Sequence, residues 1–535
     1  MESPDLDISN SADIPANIPA NIFEGLQTDW LLLEGEIEGP GSFYDHQIWP
    51  RAAEESAGYL WERDEALRSN EDNELVCVEG DNSHGEPDGS EAIARPLLLI
   101  AESSPLRFIT SIWAASMCQW DIALANPNWG LQEWRSVRSQ IQPNEIWADA
   151  DLLNVIPCST QLSSSRSASP QVLIATGGTS GRVKFIRHTW KTLLAAVHSF
   201  RRRFAPNQPI DSYCVLPLYH VSGFMQLLRT ATTRGQLALA PSKHLESNQL
   251  ANYLPFAFRK GISRGWETVE RPPFQTISLV PTQLQRMLKA GKASWLAQFD
   301  AVFLGGAPAW PQLLDLAQQN SIPLSLSYGM TETAAMVTAL EPHDFLKGDR
   351  SSGQPLPHAT LNIIKGNRTD GIGRISIHAA SIPTLLSPDQ TLLTDDLGYF
   401  DANGRLHITG RASQTIISGG ENVSPAEVEA AIRATGKVAD VCVVGVPNAE
   451  WGEAIAALYV PNEEITITDL QQALRQQNHK GATPLLSRYK HPKYWIATDA
   501  LPRNAQGKLS RQEVLNLVQT EIQARSASQS NRPTQ

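Results

Sequence analysis

A large N-terminal domain of stacked α/β sheets followed by a smaller α+β domain is the fold this sequence predicts. Three observations carry that expectation. The chain has 535 residues, more than one hydrophobic core holds, so at least two domains are expected. Short apolar runs recur at 96–101, 172–175, 214–216, 276–280, 301–304 and 323–327, most of them closely followed by Gly, Ser, Thr or Pro. Helix-like segments such as 282–290 and 311–319 lie between them, and strands alternating with helices are the pattern of parallel sheets. After Arg411 the pattern changes. Ser424-Pro425-Ala426-Glu427 opens a helix in which Ser424 can cap, Pro425 suits the first turn and Glu427 can reach back to the cap amide.

The remaining elements follow in order. Val428, Ala431 and Ile432 give that helix an apolar face, and 441–446 reads as a strand. Ser510-Arg511-Gln512-Glu513 repeats the capping pattern before Val514, Leu517 and Val518. The expected boundaries are 1–411 for the large domain and 412–524 for the small one. Residues 1–20, polar and rich in Pro and Asn, and 525–535, low in apolar content, are expected to be disordered. Residues 81–91 read as a surface loop, and Trp113, Trp120 and Trp129 as core. No internal repeat is visible.

Composition excludes several classes of function. Hydrophobic residues make up 41% and charged residues 19%, as in soluble globular chains. The net charge of -12 leaves no basic footprint for nucleic acid. The five cysteines, Cys77, Cys118, Cys158, Cys214 and Cys442, lack metal-site spacing and read as free thiols in a reducing compartment. No apolar run reaches the length of a membrane span, and the acidic start Met1-Glu2-Ser3-Pro4-Asp5 is unlike a signal peptide, so a cytoplasmic location is expected. A homo-oligomer remains open.

The chemistry is concentrated in a few motifs. The run 172–175 leads into Thr176-Gly177-Gly178-Thr179-Ser180-Gly181-Arg182-Val183-Lys184. Its glycines let backbone amides approach phosphate oxygens, its hydroxyls add donors and Lys184 adds charge. It lacks the Gly-Lys-Ser/Thr ending of a Walker A loop. Further on stand Tyr328-Gly329-Met330-Thr331-Glu332-Thr333, then Thr394-Asp395-Asp396-Leu397-Gly398-Tyr399-Phe400, a hairpin turn at Asn403-Gly404, and Ile408-Thr409-Gly410-Arg411. Ile417-Ser418-Gly419-Gly420-Glu421 precedes the helix start, and Leu501-Pro502-Arg503-Asn504-Ala505-Gln506-Gly507-Lys508 comes near the end.

In order and spacing these motifs, from about 174 to 514, resemble the adenylate-forming superfamily of acyl- and aryl-CoA ligases, luciferases and peptide-synthetase adenylation domains. The resemblance implies activation of a carboxylic acid by ATP as an acyl-adenylate, then transfer to a thiol, most simply coenzyme A. It implies a mobile small domain. Thr176, Gly177, Gly178, Thr179, Ser180, Gly181 and Lys184 would cradle the β- and γ-phosphates. Gly305, Gly306, Ala307 and Pro308 would pass along the adenine, with Tyr328 stacked on it and Gly329 and Met330 beside it. Thr331 would touch the α-phosphate and Glu332 would hold Mg²⁺, a hard cation suited to carboxylate and phosphate oxygens. Asp396 and Arg411 would bind the ribose. Lys508 would offset charge developing at the α-phosphate. Ser413 would be the hinge, and Ser418, Gly419 and Gly420 would line the coenzyme A channel. The loop departs from the common pattern at Gly177, Val183 and Phe185, where serine, proline and glycine are usual.

Leu216-Pro217-Leu218-Tyr219-His220-Val221-Ser222-Gly223-Phe224 narrows the acid. This run is similar to the o-succinylbenzoate–CoA ligase family, and the Thr-Gly-Gly-Thr-Ser-Gly loop with Arg187-His188-Thr189-Trp190 resembles its cyanobacterial and plant-type members. The resemblance puts His220, Ser222 and Gly223 at the acyl pocket and gives Arg229 the second carboxylate of the substrate. A buried carboxylate needs a charge-assisted partner, and guanidinium matches it with two parallel bonds. Three other readings stay open: a ligase for another aromatic or fatty acid, a carrier-protein-loading enzyme, and a nucleotide-binding regulator that has lost catalysis. No carrier domain with a serine arm follows Lys508, which favours free coenzyme A, and the retained Glu332, Asp396, Arg411 and Lys508 argue against the regulator.

Overall fold

The computed structural model describes residues 93–149, 158–159, 166–177, 183–246, 255–257, 274–365, 371–418, 421–448, 450–462, 465–475, 486, 488–503 and 509–530, with 56–57, 59–60 and 63 before them. The expectations for 1–20, for the 81–91 loop, for Gly178, Thr179, Ser180 and Gly181, for Gly419 and Gly420, and for Lys508 lie outside the described residues.

The first sheet holds β1 (Leu97–Ala101), β2 (Asp121–Leu124), β3 (Glu145–Ala148), β4 (Gln171–Gly177) and β5 (Val183–Thr189), in the order β3-β1-β2-β4-β5. All neighbours are parallel except the β4–β5 hairpin. Every residue of β1 and β2 is buried, which is why these runs read as continuous apolar stretches rather than alternating ones. The helices α1 (Pro105–Met117), α2 (Leu131–Arg138) and α3 (Trp190–Phe204) belong to this layer, and Trp120 is fully buried within its core.

The second sheet has eight strands: β6 (Ile210–Cys214), β7 (Gln236–Leu239), β8 (Pro255–Ala257), β9 (Phe274–Leu279), β10 (Ala301–Leu304), β11 (Leu324–Met330), β12 (Ala335–Ala339) and β13 (Gln354–Pro355). Their order is β8-β7-β6-β9-β10-β11-β12-β13, parallel from β7 to β11 and antiparallel at both edges. The helix α4 (Val221–Thr232) packs between the two sheets, where Phe224 and Leu228 share a core with Ile122 and Leu193. On the second sheet, α5 (Pro281–Lys289) and α6 (Pro311–Gln319) bury Leu284, Met287, Leu313 and Leu314 against Ile277, Val302 and Leu324. The run 214–216 is not a strand as expected: the ladder ends at Cys214, and Val215 and Leu216 form the buried loop into α4.

A third, antiparallel sheet runs β14 (Ala359–Ile364), β15 (Gly373–Ala379), β16 (Thr391–Phe400) and β17 (Leu406–Arg411) in sequence order. The turn between its last two strands includes Gly404 at φ +71°, as the Asn-Gly signal predicts.

After Arg411 the chain builds another sheet from β18 (Ile416–Ser418), β19 (Glu421–Val423), β20 (Val438–Asn448), β21 (Gly452–Pro461) and β22 (Tyr494–Ala497). The helices α7 (Pro425–Ala434), α8 (Ile467–Arg475) and α9 (Arg511–Ser530) accompany it. Pro425 opens α7 as expected, but the cap works differently. The Ser424 hydroxyl donates to the Thr409 carbonyl at 3.1 Å instead of accepting from the helix, and Glu427 pairs with Lys490. The tail expected to be disordered from Arg525 is helical as far as Ser530. Buried Val514 and Val518 anchor that helix, and Arg525 pairs with Glu521 one turn back at 3.0 Å.

Candidate active site

Three of the motifs, at Thr176, Gly305 and Tyr328, stand where strands of the first two sheets end. The β4–β5 hairpin pairs Thr176 with Lys184 and Gly177 with Val183, so both ends of the glycine-rich loop are pinned by ladder geometry. Lys184 is exposed. The segment Gly305-Gly306-Ala307-Pro308 leaves β10; Gly306 takes φ +78°, and a Cβ at Gly305 would stand 2.9 Å from the Ser327 hydroxyl.

At the end of β11 the chain makes a single 3₁₀ turn, Thr331–Thr333, and then two consecutive left-handed alanines, Ala334 at φ +51° and Ala335 at φ +78°. Non-glycine residues there are strained, so the surroundings must over-determine the turn. The Thr333 hydroxyl accepts from the Met330 amide at 3.1 Å and lies 2.7 Å from the Ala335 carbonyl. The His188 ring reaches across from β5 and places Nε2 2.8 Å from the Thr331 carbonyl. A carbonyl only accepts, so Nε2 carries the proton and Nδ1 faces the Thr192 hydroxyl at 3.2 Å. His188 is fully buried, and burial pushes its pKa down to about 4. The neighbouring Glu332 carboxylate is half-buried and makes no ion pair with any described residue.

A polar chain links the second and third sheets. The Tyr328 hydroxyl donates to Asp396 Oδ2 at 2.8 Å, and Arg411 Nε donates to Asp396 Oδ1 at 2.9 Å. Asp396 and Arg411 are register partners on β16 and β17, which places guanidinium opposite carboxylate. Burial and the Asp396 charge both push the Tyr328 phenol up, so it stays protonated and keeps donating. Arg411 remains exposed and Asp396 buried. Ser413, in the 3₁₀ turn Ala412–Gln414, hydrogen-bonds the adjacent Asp395 through its amide, at 3.2 Å, and its hydroxyl. Ser418 is buried in β18.

His220 is the N-cap residue of α4, with its ring 4.7 Å from that of Tyr219. Ser222 is exposed in the first turn. Gly223 is where that turn meets the preceding loop: a Cβ there would lie 2.1 Å from the Pro217 carbonyl oxygen. Arg229 is 4% exposed near the far end of the helix. Nine residues of α-helix separate it from His220 by about 13 Å along the axis, although a helical side chain leans back toward the N-terminus. The structure therefore does not bring the two side chains into one cluster. The guanidinium lies over the Phe200 ring at 4.1 Å, and it has no carboxylate partner among the described residues. Burial alone lowers its pKa, to about 9, which leaves it charged at neutral pH.

Known proteins share this framework. Residues 122–381 match the family described as AMP-binding enzyme, and residues 427–508 match the AMP-binding enzyme C-terminal domain. The 2-succinylbenzoate–CoA ligase of Enterococcus faecalis (strain ATCC 700802 / V583) is 30% identical over 353 residues, which is 63% of this chain and 68% of that one. The chain belongs to the AMP-binding, adenylate-forming enzyme family. The 2-succinylbenzoate–CoA ligase of Listeria innocua is 31% identical to this AMP-binding enzyme over 358 residues, 65% of this chain and 70% of that one. In fold, it is similar to o-succinylbenzoate CoA synthetase from Bacillus subtilis in complex with the acyl-adenylate intermediate, with a TM-score of 0.70 at 20% identity over 94% of this chain and 98% of that one. The ATP-bound MatB from Rhodopseudomonas palustris gives a TM-score of 0.70 at 19% identity, covering 94% and 99%.

Two features of this AMP-binding enzyme were not assigned by sequence reasoning. The buried His188 contact to the Thr331 carbonyl joins β5 to the Thr331–Glu332 turn. The Asp395–Ser413 contact ties the turn after β17 to β16. The run Arg187-His188-Thr189-Trp190 stands out in the sequence for its resemblance alone, with no partner assigned to His188. No helix among the described residues is long and apolar enough to cross a membrane.

Proposed function

We propose that this AMP-binding enzyme is a cytoplasmic ligase that converts 2-succinylbenzoate, ATP and coenzyme A to 2-succinylbenzoyl-CoA, AMP and pyrophosphate, in menaquinone or phylloquinone biosynthesis. The observation that carries the choice of acid is Arg229, a buried cation with no protein anion among the described residues, on the helix that begins at His220. A buried charge normally has a partner, and a substrate with a second, spectator carboxylate supplies one. A helical side chain tends to lean toward the helix start, so the acid would lie between the guanidinium and His220, Ser222 and Gly223.

In the first half-reaction a succinyl carboxylate oxygen attacks the α-phosphorus and the bond to the pyrophosphate oxygen breaks. The 176–181 loop and Lys184 hold the departing phosphates. Gly305, Gly306, Ala307, Pro308, Tyr328, Gly329 and Met330 frame the adenine, while Asp396 and Arg411 take the ribose hydroxyls. Thr331 faces the α-phosphate, and Lys508 offsets the charge that develops there. No cluster of three metal-type side chains exists among the described residues, so Mg²⁺ would be held by Glu332 together with the phosphates, which suits a cation that keeps most of its shell from substrate and water. Bound there, it neutralises charge on the phosphate oxygens. In the second half-reaction the coenzyme A sulfur attacks the acyl carbon and AMP leaves. Ser418, Gly419 and Gly420 would line the thiol's approach.

The test compares 2-succinylbenzoate with 4-phenyl-4-oxobutyrate, which lacks the benzoate carboxylate. Removing the partner of a buried carboxylate costs about 3–5 kcal/mol, or roughly two to four decades in specificity. Arg229→Ala is expected to lower kcat/KM for the dicarboxylate by that order and to leave the monocarboxylate nearly unchanged. Arg229→Lys is expected to recover only part. Equal handling of both acids by the unmodified protein would make it a broader aryl- or acyl-CoA ligase.

A further inference from the structure

We infer that His188 is a positioning residue for the adenylation step: its neutral ring fixes the peptide between Thr331 and Glu332, and so sets where the α-phosphate and magnesium groups stand. The inference rests on the adenylation reading above but concerns a residue that reading does not use.

The geometry is specific. His188 and Lys184 lie four residues apart on β5, on one face of the strand that carries the chain out of the phosphate loop. The ring is fully buried, and its Nε2–H donates to the Thr331 carbonyl at 2.8 Å, across 143 residues of sequence. That carbonyl also accepts the Ala334 amide at 3.1 Å, closing the 3₁₀ turn. With the carbonyl held from two sides the peptide plane is fixed, and with it the directions in which the Thr331 hydroxyl and the Glu332 carboxylate leave the backbone. The left-handed pair Ala334 and Ala335 means the turn would relax elsewhere if released. Thr192, opening α3, lies at the other ring nitrogen, so the ring's tautomer and tilt are set as well.

A packing role and a positioning role differ in what they move. Leucine at 188 fills the space without a donor. Glutamine places an amide N–H near the position of Nε2. His188→Leu is expected to slow 2-succinylbenzoate-dependent pyrophosphate exchange, or to weaken Mg·ATP binding in calorimetry, by roughly 10–100-fold, the loss usual when an outer support of a phosphate or metal group is removed. Thioester formation from supplied 2-succinylbenzoyl-adenylate is expected to stay near that of the unmodified protein, and His188→Gln to recover most of the loss. Any one of three results overturns the inference: exchange and Mg·ATP affinity unchanged in His188→Leu, His188→Gln as impaired as His188→Leu, or equal losses in both half-reactions with a lowered melting temperature. If the unmodified protein shows no exchange at all, the adenylation reading fails instead, and the calorimetric comparison still decides the role of His188.

Discussion

At the scale of single residues, the site depends on charges placed where the reaction makes or moves charge. The role proposed for Lys508 is confined to one moment. The lysine can stabilise negative charge at the α-phosphate while the carboxylate attacks, and it has no corresponding task once the adenylate exists. Lys508→Ala is therefore expected to abolish pyrophosphate exchange while sparing thioester formation from supplied acyl-adenylate; near-normal exchange would refute the assignment. Residues of this kind were legible in the sequence because chemistry fixes both their type and their spacing. Tyr328, Asp396 and Arg411 stand 68 and 15 residues apart, yet they form one hydrogen-bonded chain. Arg229 was legible as a buried arginine but its surroundings were not: stacking on Phe200 depends on how α4 packs against α3, which no local pattern encodes. The His188 contact to the Thr331 carbonyl was not legible for the same reason, since its partner lies in the turn that follows a strand of a different sheet.

At the scale of elements, periodicity identified most of the strands that lead into the site, and the errors share a cause. The run 214–216 is apolar because it is buried, not because it is extended in a ladder, and composition does not separate the two. Ser424 satisfies the capping pattern, yet its hydroxyl is taken by the Thr409 carbonyl, a tertiary partner that overrides the local one. The helix α4 illustrates the opposite case, in which a sequence motif does encode a packing contact. Gly223 lets the first turn of the helix rest on the Leu216–Pro217 backbone, the approach that sets the position of the His220 N-cap proposed for the acyl pocket. In Gly223→Ala the new methyl would meet a backbone oxygen, which cannot swing away as a side chain can. Overpacking of this type costs about 1–3 kcal/mol. The expected result is a lowered unfolding midpoint together with a raised KM for the acid and a KM for ATP that changes little. If KM for ATP rises as much as that for the acid, the helix start does not set the acyl pocket.

At the scale of the whole molecule, the proposed half-reactions call on different groups, Lys508 in the first and the Ser418-Gly419-Gly420 segment in the second. Both belong to the part of the chain after Arg411, so one rotation can exchange them. The chain around Ser413 suits a pivot: it is a short exposed turn between β17 and β18, held to β16 of the third sheet by Asp395. In the present arrangement a second contact spans the two parts, where the Arg433 guanidinium lies 5.5 Å from the Trp310 ring centroid while hydrogen-bonding the Val441 carbonyl at 2.7 Å. Such an exposed-edge contact is weak enough to be broken and remade. Ser413 sits in a 3₁₀ turn, whose φ is close to that of proline. Ser413→Pro is thus compatible with this arrangement but forbids the large dihedral change that leaves it. Proline also removes the amide that donates to Asp395, so Asp395→Ala serves as the control, losing the same bond while leaving φ free. The expected outcome is that Ser413→Pro retains adenylation and loses coenzyme A transfer steeply, with Asp395→Ala much less affected in transfer. Equal loss of both half-reactions in Ser413→Pro, or an equally steep transfer defect in Asp395→Ala, would place the pivot elsewhere. A chain that must hold two arrangements of nearly equal energy gains nothing from a large apolar interface between them, and the Arg433–Trp310 contact, the Ser424–Thr409 hydrogen bond and the hydrogen-bonded turn at Ser413 are polar links of the kind that requirement favours.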